Sequence, residues 1–426
     1  MKKANQYFFN HTYKFDRNQN NIISNFSIYC LSSLVGSIFS VLLSVSFVWA
    51  VISIARKKLA IAADRRVVIV AVAFASYPIA EFLAALVNKG GIEGVIASMG
   101  ALLFLSVIPL VSRLALSSPQ DLVDTTGIGA AAGAVLALAF CLVQILFLDM
   151  TRPEAGFGNA AVAGAVSLTV CCVCLVLLPA VQAYLRNFII AGIVCSLITI
   201  VLSGTRAVWL AAPFSIAIAA FPLFRFKEKI VFGYKSIVLA VITGSSLPFL
   251  YNILDRQIRA ALSIVQIDGN NTLYPFIDHR LFLWSGGWEQ VKASWLFGYG
   301  PSSSSDMILA LGGEPPLIYT HYHNIFLTAL MRGGVIEFAS LLLVFSVLVW
   351  FSVFHKPLNH FQFTGQVLIS SCLVATVIPG MAGTVFTNDI LLAVFIYTMI
   401  IGICLGISKD VSSTPASSFA SAFHKA

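Results

Sequence analysis

The chain has 426 residues, 58% of them hydrophobic and 10% charged, and a formal net charge of +8. A soluble domain carries roughly 25% charged residues, so a water-soluble fold is excluded and a bilayer-embedded one is expected. The positive residues sit in short loops between apolar runs, which is the signature of membrane orientation and not of a nucleic-acid surface.

Crossing about 30 Å of hydrocarbon takes ~20 apolar residues in a helix. The apolar runs here are continuous and do not alternate, so helices are expected in place of a closed β-barrel. Residues 1–26 are polar and Asn-rich and read as a loose tail. Spans are predicted near 27–54, 66–87, 94–115, 128–149, 158–180, 187–203, 206–223, 230–253, 325–354, 366–384 and 389–407. The expected fold class is an all-α polytopic membrane bundle of 11–12 transmembrane helices, with one long periplasmic loop containing short helices.

Orientation follows from the basic residues. Arg56, Lys57, Lys58, Arg65 and Arg66 join the first two spans and place that loop in the cytoplasm. Alternation then puts Arg225, Lys227 and Lys229 on the same side. The long segment 254–322 falls outside, and it carries four positive and six negative side chains, net −2. With eleven spans, Lys2, Lys3, Lys14 and Arg17 would lie outside against the rule. A tight hairpin of two short helices within 22–54 would give twelve spans and restore it. The chain divides into a tail (1–26), an N-terminal bundle (27–253), the outer loop (254–322), C-terminal helices (323–408) and a cytoplasmic tail (409–426). All eight cysteines lie in apolar segments and read as small buried thiols, with no disulfide framework or zinc site.

Three stretches carry chemistry. In "SGTRAVW" (203–209), Ser203 or Thr205 is placed to cap the next helix, and Arg206 adds a fork that fits phosphate oxygens. The plain alternative is an arginine that anchors a helix end at the interface. In "DHRLFLW" (278–284), Arg280 opens a short amphipathic helix over 280–295 whose Trp284, Trp288 and Trp295 suit the headgroup zone. Two arginines facing one site can hold a diphosphate; alternatively Arg280 pairs with Asp278 or solvent. In "THYHNIFLTALMRGGVIEF" (320–338), His321 and His323 flank Tyr322 at a helix mouth. An imidazole suits proton acceptance near neutral pH, and Asn324 is placed to orient a ring or bind a hydroxyl. Gly333 and Gly334 allow close approach of another helix or a lipid chain. His-x-His without a carboxylate or Cys cluster does not favour a metal. Glu81 and Glu337 lie inside apolar spans, where a carboxylate is costly; Glu337 is placed to pair with Arg332 or fold back on a polar cavity.

Together these stretches resemble the O-antigen ligase and polymerase superfamily of bacterial envelope glycosyltransferases. "HNIFLTALMRGGVIE" is similar to the family's His-Asn pattern followed by nine residues and a Gly, here His323, Asn324 and Gly334, and departs from it at Glu337. "HRLFLWSGGWEQVKASWLFGYG" resembles its Arg-x-x-x-Trp segment ending in Gly-x-Gly, and "SGTRAVW" its Ser-x-x-Arg motif. "RPEAGFGNAAVAG" (152–164) resembles a short Gly/Asn loop. The resemblance implies a multi-pass protein of the bacterial inner membrane, its active site facing the periplasm and using no cofactor or metal. It implies an inverting transfer of a glycan from an undecaprenyl-diphosphate donor. The acceptor is lipid A core in a ligase, or a growing glycan in an O-antigen or exopolysaccharide polymerase. Carried over, Arg206 and Arg280 grip the diphosphate and His323 is the general base. His321, Asn324, Trp284 and Tyr322 stand in the substrate-binding region. A transporter or flippase would instead show ionisable groups near the midplane of several spans and repeat symmetry.

Overall fold

The computed structural model describes residues 17–32, 36–225, 275–309, 321–383 and 385–409. The described residues are helical and include ten helices long and apolar enough to cross a membrane. They account for ten of the eleven expected spans; the eleventh, 230–253, lies outside the described residues. In chain order the helices are α1 (Arg17–Leu31), α2 (Ile38–Ala55), α3 (Arg65–Val87), α4 (Gly91–Ser98), α5 (Val107–Leu114), α6 (Pro119–Leu148), α7 (Ala160–Leu177), α8 (Arg186–Leu202), α9 (Arg206–Arg225), α10 (Pro275–Ala293), α11 (Ser304–Leu309), α12 (Ile325–Val353), α13 (His360–Gly380) and α14 (Asp389–Gly406). A 3₁₀ stretch, Met99–Ser106, joins α4 to α5 in one apolar rod.

The run expected as one span over 27–54 is two antiparallel helices. The Ser24 and Ser46 hydroxyls meet at 3.1 Å, and the Tyr29 and Phe39 rings pack edge-on at 5.9 Å. The chain turns at Gly36, whose N–H donates to the Gly156 carbonyl at 2.7 Å. A Cβ there would stand 3.0 Å from the Phe157 Cα. Residues 17–26 therefore belong to a packed helix and not to a loose tail. They look polar because α1 buries amides: Asn25 Nδ2 donates to the Thr125 and Thr126 hydroxyls at 2.7 Å each, and Tyr397 Oη donates to Asn25 Oδ1 at 2.9 Å. Buried polar groups are tolerated when each finds a partner, and these do.

The hairpin also resolves the charge pattern. Asn21 of α1 bonds the Arg113 carbonyl and the Ser117 hydroxyl, beside the loop after α5. Ala62 N–H donates to Ser112 Oγ, and Arg66 reaches the Gly406 carbonyl. One face of the bundle thus gathers the start of α1, the basic 56–66 loop and the ends of α5 and α14. The opposite face gathers Gly36, Gly156, Ser203, Asn88 and the segment around Phe297.

α7 and α14 run through the centre, almost every residue buried. In lipid the attraction between helices comes from close packing, which small residues permit. Gly365 of α13 lies against Gly402 and Gly406 of α14, where a Cβ would meet their backbone. All eight cysteines are free thiols, seven of them buried.

Candidate active site

The site lies on the face opposite the basic loops, where α9 begins, α10 docks and α12 begins. Arg206 is the first residue of α9. Before it, Gly204 turns the chain at φ +61. The capping expected of the hydroxyls here takes another form. Thr205 Oγ1 donates to the Ala160 carbonyl of α7 at 3.2 Å, and Ser203 Oγ donates to the Ile200 carbonyl at 2.8 Å. Both fasten the turn to its neighbours, because the α8–α9 elbow is wedged against α7. Trp209 Nε1 closes the elbow by donating to the same Ile200 carbonyl at 2.9 Å.

α10 starts at Pro275, earlier than the expected 280, and carries Arg280 on its exposed side. Trp288 and Trp295 are exposed, as headgroup-zone aromatics should be, but Trp284 turns inward. Its indole Nε1 donates to the Tyr322 carbonyl at 3.0 Å. Tyr322 itself is 1% exposed. Its hydroxyl donates to Gln290 Oε1 at 2.7 Å, and its ring lies against Gly287, where a Cβ would stand 2.8 Å away. Leu283, Val291, Ile308, Leu327 and Met331 complete a small apolar cluster around it. Tyr322 and Trp284, expected in the substrate-binding region, thus make packing contacts that fix α10 to the mouth of α12. The Tyr322 ring enters the protein, while both histidines stay half-buried beside it.

The two imidazoles lie together, ring centroids 4.1 Å apart and tilted at 58°. His323 holds a left-handed backbone at φ +51, uncommon for a residue with a Cβ and a feature that concentrates at functional sites. Asn324, expected to orient a ring, is the N-cap of α12, its Oδ1 accepting the Phe326 and Leu327 N–H groups at 2.9 and 3.2 Å. Its tie to His323 is through the backbone.

Electrostatics shows that these groups share one neighbourhood. Burial pushes His323 down to about 4, and the nearby His321 and the positive charge of Arg280 push the same way. His321 is lowered by burial. Arg280 is held below the ordinary guanidinium range by burial and by the charge of Arg206. Arg206 thus acts on Arg280, and Arg280 on His323, although the three lie on separate elements.

A further cation stands at the same corner. Arg152 donates from Nε to the Ser203 carbonyl at 3.2 Å and flanks Gly204. The sequence marked its loop, "RPEAGFGN", but not this residue, since only the packing of that loop on the α8–α9 elbow brings it near Arg206.

Below the histidines α12 is broken. Gly334 has φ +65 and ψ −158, which interrupts the helix. The segment after α10 fills the break: Tyr299 and Gly300 N–H donate to the Met331 and Arg332 carbonyls at 2.8 and 2.9 Å, and Val335 N–H donates to the Trp295 carbonyl at 2.8 Å. A Cβ on Gly298 would stand 2.6 Å from the Met331 oxygen, and one on Gly334 would collide with Leu296. Of the two glycines expected to admit a helix or lipid chain, Gly334 admits a loop and Gly333 leaves room for the Glu337 side chain. Arg332 pairs with Glu81 of α3, and Glu337 accepts from Tyr77 Oη at 2.9 Å, so the expected Glu337–Arg332 pair is not the one formed.

Residues 191–342 of the 426 match the family model described as O-antigen ligase. That stretch is similar to the O-antigen ligase family. The matched residues include Arg206, Arg280, His321, His323 and the Gly334 break, and they exclude Arg152 and α3. No curated protein matches the chain. With ten helices long and apolar enough to cross a membrane, the match supports a multi-pass, all-helical membrane protein similar to O-antigen ligases.

Proposed function

We propose that the protein transfers a glycan from undecaprenyl diphosphate to an acceptor hydroxyl at the periplasmic face, with inversion and without a metal. The observation that carries this reading is the electrostatic chain from Arg206 through Arg280 to His323. A lipid-diphosphate donor presents an apolar tail, two phosphates and a polar glycan. It calls for cations at headgroup level beside a base.

In this mechanism Arg206 and Arg280 bind the diphosphate by charge-assisted hydrogen bonds, with Arg152 flanking. His323 accepts the proton of the acceptor hydroxyl as its oxygen attacks the anomeric carbon. The bond from that carbon to the diphosphate oxygen breaks, and the electron pair leaves with the diphosphate, whose growing charge the two guanidinium groups stabilise. A diphosphate leaves readily without a general acid. Keeping His323 neutral leaves its nitrogen available. The anionic donor, once bound, offsets Arg280 and raises the basicity of that imidazole toward working pH.

The site faces away from the basic loops, which the positive-inside rule assigns to the cytoplasm. The acceptor proposed is lipid A core. The test is transfer by the purified protein from an undecaprenyl-diphosphate glycan to lipid A core in the presence of a chelator. Transfer to lipid A core supports ligation. Extension of the glycan on its carrier lipid would make the protein a polymerase, and a strict divalent-metal requirement would overturn the mechanism.

A further inference from the structure

The four polar groups buried around the Gly334 break are not used by that mechanism. Glu81 and Glu337 are 2% and 0% exposed, inside helices that cross the membrane. Burying charge there is expensive, and a buried ion pair is by itself a weak source of stability. Their placement is specific. Tyr77 and Glu81 stand one turn apart on one face of α3. Glu81 grips Arg332, just before the break, and Tyr77 grips Glu337, just after it. Arg332 also donates to the Ala97 carbonyl at 3.3 Å. The Tyr77 ring is wedged by Phe104 at 4.7 Å and Phe386 at 6.2 Å, which fixes its hydroxyl. About two turns beyond Glu81, at the end of α3, Asn88 donates to the Phe297 carbonyl at 3.2 Å, in the very segment that fills the break.

α3 therefore holds two arms. One is the first part of α12, which leads back to His323. The other is segment 295–300, which leads back through α10 to Arg280. We infer that Tyr77, Glu81, Arg332 and Glu337 form a splint across the break in α12 and are positioning residues that set the separation of Arg280 and His323. The inference rests on the function proposed above, because it gives the splint a purpose only if those two groups act together.

The test reads the separation without any glycan. In the purified full-length protein carrying ¹³C-labelled histidine, the imidazole of His323 is followed by NMR across pH and assigned by its loss in His323→Gln. Arg280→Ala shows how far the titration rises when that cation is removed outright. Glu81→Gln is expected to move the titration upward by about half a pH unit or more, because Arg280 drifts from the ring. Tyr77→Phe should move it the same way by less. A variant that merely lowers the folded fraction leaves the titration of the folded fraction where it was. Should Glu81→Gln fail to fold, Glu81→Asp and Tyr77→Phe decide by the same measurement. Folded variants in which His323 titrates as in the unmodified protein would overturn the splint. That outcome with intact glycan transfer leaves the proposed function standing. A shifted titration in a protein that transfers no glycan sinks the function and keeps the splint.

Discussion

The indole of Trp284 donates to the carbonyl oxygen of Tyr322 at 3.0 Å, and through this bond the helix bearing Arg280 is fastened to the loop bearing both histidines. Tyr322 answers from its other end, its hydroxyl held by Gln290 one turn and a half further along the same helix. Trp284→Phe removes a hydrogen bond worth about 1 kcal/mol. The expected outcome is a small loss of thermal stability with a clearly larger loss of transfer. Melting in detergent and initial rates on one preparation check this.

Gly287→Ala is expected to be worse. The new methyl group meets the Tyr322 ring at 2.8 Å, and overpacking of this kind costs about 1–3 kcal/mol. α10 should lift from the α12 mouth, seen as faster proteolysis of the 275–309 segment at an unchanged content of transmembrane helix.

Removing the base should affect chemistry and spare binding. His323→Ala is expected to lower turnover by about 10²–10⁴-fold, the usual contribution of a general base, with donor affinity retained. Arg280→Ala should weaken donor binding as well. Equal loss of binding in both variants would contradict the division of roles.

The pH dependence has a definite sign. His323 is held down at about 4, chiefly by burial, against an ordinary imidazole value near 6.5. The acid limb of kcat/KM should therefore lie well below 6, with activity flat above it. Replacing Arg280 or His321 with a neutral residue removes a repulsive charge, favours the imidazolium and raises that limb. The same depression adds stability above about 6.5 that fades as pH falls toward 4, because only the unfolded chain takes up the proton in that interval. Rate profiles and melting curves between pH 4 and 8 test both.

Asn25 offers a check far from the site. Its amide joins α1 to α6 and, through Tyr397, to α14. Asn25→Leu takes the acceptor from the Tyr397 hydroxyl and a donor from Thr125 and Thr126, leaving a buried group unpaired at a cost of about 1–3 kcal/mol. Lower thermal stability with normal kinetics in the surviving folded protein is the expected result.

Most of the architecture was legible because long apolar runs have one reading in lipid. The N-terminal hairpin was legible only as an alternative raised by the basic residues before it, since Asn21, Ser24 and Asn25 look like tail residues until their partners on α5, α2 and α6 are known. At the site, residue type carried the cations and the imidazoles: Arg206, Arg280, His321 and His323 do gather. Direction was lost where a polar atom has two possible uses. Asn324 caps a helix, Trp284 bonds a carbonyl and Tyr322 fills a core, and only backbone geometry tells these from ligand contacts. Arg152 carried no signal of its own, because what matters is the elbow it lies on. The partners of Glu81 and Glu337 depended on how α3 stands beside α12, which no local pattern encodes.

The break at Gly334 lies about 14 Å along α12 from its start, at ~1.5 Å per residue. Gly334 is buried there, so the peptide groups the gap frees must be paired by protein. Here the closing groups come from residues 295–300, which the ribosome makes before the helix they complete. The patch is thus waiting when α12 arrives. Exchanging the outer segment for that of a relative should cripple membrane integration of the last three helices unless the turn carrying Met331 to Val335 is exchanged with it.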